Sequence, residues 1–180
     1  MILGLDISTS IIGASVLDDD RQVVASVAWD MRNKNHFPDI FSKYNHVRGE
    51  LLDIHNQYEI DHIFIEQSLQ MFRSGFSSAK TLSTLSSFNG VISYLCYREL
   101  GLKPEHISAS SARKSCGITI PRGVKAKERV VEFLLDNEPH FEVEYTKHGN
   151  IKPVYYDIAD SIVIAKAGYE LVKQRETRSS

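Results

Sequence analysis

The sequence predicts an α/β fold, a mixed five-stranded sheet with helices on both faces. Three observations predict it. Three short runs rich in Ile, Leu and Val open the chain with polar turns between them, a stripe of apolar residues at alternating spacings of four and three follows, and β-branched runs then alternate with helical patterns. At 180 residues the chain can bury one core without disulfide or metal staples, so residues 1–173 read as a single domain and the polar residues 174–180 as a flexible tail.

Residues 2–7 (ILGLDI) and 11–17 (IIGASVL) are strands, and Asp18, Asp19 and Asp20 turn the chain into QVVASVAW, completing an antiparallel meander. Ile40, Tyr44, Val47, Leu51, Ile54 and Tyr58 share one helical stripe, so a helix packs on the sheet. HIFIEQS, residues 62–68, is the fourth strand, with Glu66 near its C-terminal end. Beyond the loop LQMFRSGFSS, residues 79–99 carry two adjoining stripes, one through Leu82, Leu85, Asn89, Ile92 and Cys96, the other through Phe88, Val91 and Leu95. So wide a face, with the small Ser86, Ser87 and Gly90, points to burial on two sides, a dimer contact included. EHISASSA is a short fifth strand entering a basic turn, residues 124–137 are a helix with Val130, Phe133 and Leu134 inward, and PVYYDIADSIVIAKAGYELV is the last helix, with Pro153 at its first turn.

A composition of 42% hydrophobic and 24% charged residues fits a soluble globular protein and excludes a disordered one. The opening MILGLDIST lacks a basic region and no apolar run has transmembrane length, so a cytoplasmic location is expected. Cys96 and Cys116 have no CxxC spacing and are expected as reduced structural thiols rather than zinc ligands. His140 and His148, without ligand-spaced partners, read as surface residues, and Lys166 and Lys173 as solvated. The net charge of -2 argues mildly against a polyanion partner, but its distribution is uneven. Between Arg113 and Arg129, six cations (Arg113, Lys114, Arg122, Lys125, Lys127, Arg129) face Glu128 alone, a local +5.

Four carboxylates carry the chemistry: Asp6 on the first strand, Glu66 on the fourth, then Asp157 and Asp160 on the last helix. Sites in open α/β sheets gather at strand ends, and positions i and i+3 share a helix face, so the four can meet. Taken singly, each has an ordinary explanation as a turn, a cap or a macrodipole partner. Their apolar flanks weigh against that, because an unpaired charge inside such runs is unfavourable. Hard oxygen ligands suit magnesium or manganese, and two such ions about 3.5–4 Å apart can drive phosphodiester hydrolysis without a protein base.

LGLDISTSIIGASVLD, IFIEQSLQMF and DIADSIVIA resemble, in order and separation, the three acidic motifs of the RuvC-type Holliday junction resolvases. The resemblance spans nearly the whole chain. It implies an RNase H-like fold and a homodimer that binds a four-way DNA junction, each subunit nicking one strand with two Mg2+ ions per site, for which Mn2+ can substitute. It places the catalytic, metal-binding tetrad on Asp6, Glu66, Asp157 and Asp160, and the family's basic residues on Lys114 and Lys127. The aromatic that family members carry after the glutamate falls near Leu69, leaving Met71, Phe72 or Phe76 as alternatives, and residues 140–153 are atypical. Such departures are compatible with a divergent phage or viral member.

Arg113, Lys114, Arg122, Lys125 and Lys127 are therefore expected to contact DNA phosphates, the alternative being a solvated helix face. Phe72 and Phe76 beside Arg73 offer a tip that stacks on or wedges between bases, or else tucks into the core. Two broader readings stay open: a nuclease for branched DNA or RNA/DNA hybrids, and a non-catalytic DNA-binding scaffold. DISTSIIGASVLD also resembles the first phosphate motif of sugar kinases and actin-like ATPases, but those need a second domain and a second Asp-x-Gly motif, and this sequence has no such motif.

Overall fold

A computed structural model describes residues 1–67 and 79–179. Strands β1 (Ile2–Ile7), β2 (Ile11–Leu17) and β3 (Val23–Asp30) form the antiparallel meander. Ser8 closes its first turn, its hydroxyl donating to the Ile11 carbonyl at 2.7 Å and accepting from the Ile11 amide at 3.0 Å. Helix α1 (Ile40–Tyr58) starts from a capping box between Asp39 and Ser42, buries Val47, Leu51 and Ile54, and stops at Glu59, whose φ of 49° is left-handed. It returns the chain to β4 (His62–Glu66), which runs parallel to β1, and β5 (Glu105–Ile107) runs parallel to β4. The sheet order is β3-β2-β1-β4-β5.

The five strands fall where the apolar runs place them, but the fifth is only three residues long. Ser108 ends it by accepting the Ser111 amide at 3.2 Å, which starts a helix, α3 (Ala109–Ser115), where a strand and a basic turn were expected. Helices α2 (Ala79–Leu100), α4 (Ala126–Asn137) and α5 (Val154–Ser179) follow the periodicity. In α4 the fully buried residues are Val130, Val131 and Leu134, with Phe133 only partly covered. Residues 174–179, expected as a tail, are the end of α5, and Arg175 clamps them to β5 through two bonds of 2.6 and 2.7 Å to the Glu105 carboxylate. Lys166, expected in solvent, is 6% exposed and paired with Glu138. Cys96 is buried, Cys116 half-buried, and both are free.

Two cores lie on opposite faces of the sheet. Leu3, Leu5, Ile12, Val16, Ile63 and Ile65 pack with Val47, Leu51, Phe88 and Ile92 of α1 and α2, whereas Ile2, Leu17 and Phe64 pack with α3, α4 and α5. Side chains alternate along a strand, so Gly4 and Asp6 of β1, Gly13 and Ser15 of β2 and Glu66 of β4 all belong to the α5 face. There α5 lies close against the strands. A Cβ on Gly4 would sit 2.4 Å from the Ser161 carbonyl oxygen, and one on Gly13 would sit 2.0 Å from that of Asp157. Between these contacts the buried hydroxyls of Ser15 and Ser161 meet at 2.6 Å.

Candidate metal centre and its basic surround

Parallel pairing of β1 with β4 sets Leu5 opposite Ile65, so Asp6 and Glu66 leave the two strands side by side at their C-terminal ends. Glycine at 13 lets the first turns of α5 descend onto the same end of the sheet, bringing Asp157 and Asp160 over it. Oxygens of Asp6, Glu66 and Asp160 all lie within 4.8 Å of one another. Asp157 stands at the edge, 18% exposed, against 10% for Asp160. The Glu66 backbone is held from behind: buried Asn89 of α2 donates to its carbonyl at 3.3 Å, and His106 of β5 is 3.1 Å from the Asn89 side-chain oxygen.

Among the described residues, one cation enters the cluster. Lys127, in the first turn of α4, places Nζ 2.9 Å from Asp157, 3.4 Å from Asp160 and 3.8 Å from Asp6. That single charge does not balance four carboxylates. Burial, then repulsion from Glu66, holds the Asp6 carboxyl well above the usual range despite Lys127. Burial and the Asp160 charge push Glu66 up to about 7, with Lys127 and Arg113 opposing. Asp160 is raised by burial, against the pull of Lys127 and Arg113. Lys127 loses stability as a cation through desolvation but gains more from Asp6, Asp160 and Asp157, so it holds its proton more firmly than a free lysine.

The donor set fits a hard divalent cation. All four side chains offer oxygen only, the cluster carries excess negative charge, and a magnesium ion with ligands at about 2.1 Å spans oxygens up to about 4.2 Å apart, a reach comparable with the 4.8 Å within which the three oxygens lie. Asp6, Glu66 and Asp160 could hold one ion, and Asp157 stands beside them on the Lys127 side.

The basic residues divide. Arg113 on α3 lies near enough for its charge to act on Glu66 and Asp160, and with Lys114, Ser110 and Thr119 it lines a surface cleft. Arg122 and Lys125 are exposed, and Lys125 is paired with Glu128 at 2.9 Å. Arg129 pairs with Glu132 at 3.5 Å, so part of the local +5 is spent within α4. Lys127, expected on phosphates, points into the carboxylates. Phe72, Arg73 and Phe76 lie outside the described residues. On the far side, Arg32 is fixed by two bonds to Asp30 and feels the Asp157 charge. Sequence reasoning missed Gly13 and Asn89, although a glycine inside a strand signals close backbone approach.

No protein-family model matches this sequence, and no curated protein matches it. Solved structures do. A Thermus thermophilus RuvC in complex with Holliday junction substrate superposes with a TM-score of 0.65 at 11% identity, over 96% of this chain and 94% of that one. The fold is that of the RuvC-type resolvases. A second Thermus thermophilus RuvC structure gives 0.60 at 12% identity, covering 96% of each chain. The yeast mitochondrial Holliday junction resolvase Ydc2 gives 0.62 at 16% identity, over 98% of this chain and 80% of that one. The RuvC-type fold places the four carboxylates on β1, β4 and α5, and so explains how residues up to 154 positions apart in sequence meet at one sheet end.

Proposed function

We propose that this chain is a magnesium-dependent endodeoxyribonuclease that resolves four-way DNA junctions by paired nicking as a homodimer. The observation that carries the reading is the convergence of Asp6, Glu66 and Asp160, with Asp157 beside them, at the strand ends of a sheet whose structural neighbours are junction resolvases. Asp6, Glu66, Asp157 and Asp160 would hold two ions. Held by these carboxylates, divalent cations would supply the acidity that activates a water and the charge that offsets the phosphate and its leaving oxygen.

The surrounding residues bind and orient the DNA. Arg113 and Lys114 take backbone phosphates flanking the scissile one, and Arg122 and Lys125 extend that path over the exposed loop. Each neutralised phosphate contributes a slope of about -0.9 in log K against log salt. Because each chain has one acidic cluster among the described residues, paired nicks need a second copy. The outer face of α2 supports that role. Ser83, Ser87, Gly90, Tyr94 and Tyr97 recur at spacings of four and three along exposed positions, and a Cβ on Gly90 would meet nothing among the described residues. A glycine with no close neighbour among the described residues suits close approach of a partner helix.

Product mapping tests the proposal on a mobile four-way junction, a flap and an RNA/DNA hybrid in Mg2+. Symmetric, ligatable nicks confined to the junction are expected. Equal cutting of flaps or hybrids would replace it with a general branched-DNA or hybrid nuclease. Tight junction binding with no cutting in Mg2+ or Mn2+ would reduce it to a scaffold.

A further inference from the structure

We propose that Lys127 is a built-in counter-ion that fills the Asp157 side of the carboxylate cluster and must be expelled before a second divalent cation enters. It rests on the metal-site reading above and concerns what competes for that site. Two overlapping sets of carboxylates are present. Asp6, Glu66 and Asp160 have mutually close oxygens and leave out Asp157. The ion pairs of Lys127 join Asp6, Asp157 and Asp160 and leave out Glu66. The sets share Asp6 and Asp160, the arrangement two neighbouring cations require, and in one of them the cation is an ammonium.

A lysine that merely oriented the ligands would be walled in by the protein. This one is 54% exposed, on the first turn of α4, and its N-cap Lys125 makes no side-chain cap bond. The helix is anchored instead by buried Val130, Val131 and Leu134, so the lysine can swing out while the helix stays docked. An ammonium and a divalent ion cannot occupy the Asp157 side together, because Nζ already stands 2.9 Å from the oxygen that the ion would bind. The first ion enters the triad with Lys127 in place, and the second ion replaces the ammonium, which is then free to meet the negative charge of a bound phosphate.

Calorimetric titration of Mn2+ into the full chain without DNA tests this. Lys127→Gln is expected to lower the Kd at least fivefold and to take up one ion more than wild type, whereas Lys127→Arg and Lys125→Gln stay at the wild-type Kd. Lys127→Met, which keeps the aliphatic stem, serves if Gln perturbs folding. A smaller decrease, or weaker binding, means that Lys127 orders the carboxylates rather than competing for them and overturns the proposal. Equal tightening in Lys125→Gln reduces the effect to general charge and also overturns it. If wild type binds Mn2+ and nicks junctions, such results sink only the lysine proposal. If neither wild type nor Lys127→Gln binds Mn2+, the metal-site reading falls with it.

Discussion

Helix α5 carries two buried charged groups six residues apart, Asp160 and Lys166, and they are treated in opposite ways. Lys166 is 6% exposed and meets one partner, Glu138, so the charges balance one to one. Asp160, as deeply buried, shares its pocket with Asp6, Glu66 and Asp157, and among the described residues Lys127 is the cation paired with them. A balanced pair ties the end of α4 to the middle of α5 and asks for nothing further. In the unbalanced cluster burial, with neighbouring carboxylate charge added, raises the pKa values of Asp6 and Glu66 above the ordinary range, and a divalent cation would relieve that cost. The difference separates a self-contained ion pair from a cluster that could take up a cation.

Breaking the unbalanced cluster has the largest effect. Asp6→Asn keeps shape and loses charge, so junction nicking should fall about a thousandfold or more while junction binding persists, as cleavage and gel-shift assays will report. Breaking the balanced pair acts on stability. Lys166→Met strands the Glu138 charge and should cost about 3–5 kcal/mol in urea unfolding, and adding Glu138→Leu should recover most of it.

The glycine contact that seats the acidic end of α5 comes next. Gly13→Ala forces Asp157 away from β2 and should cost about 1–3 kcal/mol and weaken Mn2+ binding, whereas Gly49→Ala, in open space on α1, should be neutral or stabilising. The smallest effect is with pH. Glu66 keeps its proton up to about 7 when folded but only to the ordinary 4.5 when unfolded, so the metal-free protein should lose stability as pH rises through that window. Melting temperatures between about pH 5 and pH 8 should show the decline, and Glu66→Gln should flatten it.

Most of the fold was legible because its elements are long and periodic or rich in Ile, Leu and Val: the α1 stripe from Ile40 to Tyr58 and strands β1 and β2 all fall where the pattern puts them. Helix α3 was not, because seven residues of ASSARKS carry no stripe and the serine that caps them also suits a turn. The end of α5 looked like a tail because its anchor, Glu105, lies 70 residues away. Lys166 was misread although Ile162, Val163, Ala165 and Ala167 surround it in sequence, which marked the position as interior. At the site, the apolar settings singled out Asp6, Glu66 and Asp160, which the fold brings together with Asp157 at their edge. The direction of Lys127 was not, since a basic residue on a first helical turn can face phosphate or carboxylate equally well. The part played by Gly13 was written in the strand but only the approach of α5 gives it meaning.

The central claim is that the excess carboxylate charge, and not buried charge in general, is where the divalent ion acts. The melting temperature measured with and without Mg2+ tests it most directly, on wild type, Asp6→Asn and the Lys166→Met/Glu138→Leu pair. Wild type and the double variant should both rise on adding Mg2+, and Asp6→Asn should not. An equal rise in Asp6→Asn would contradict the account.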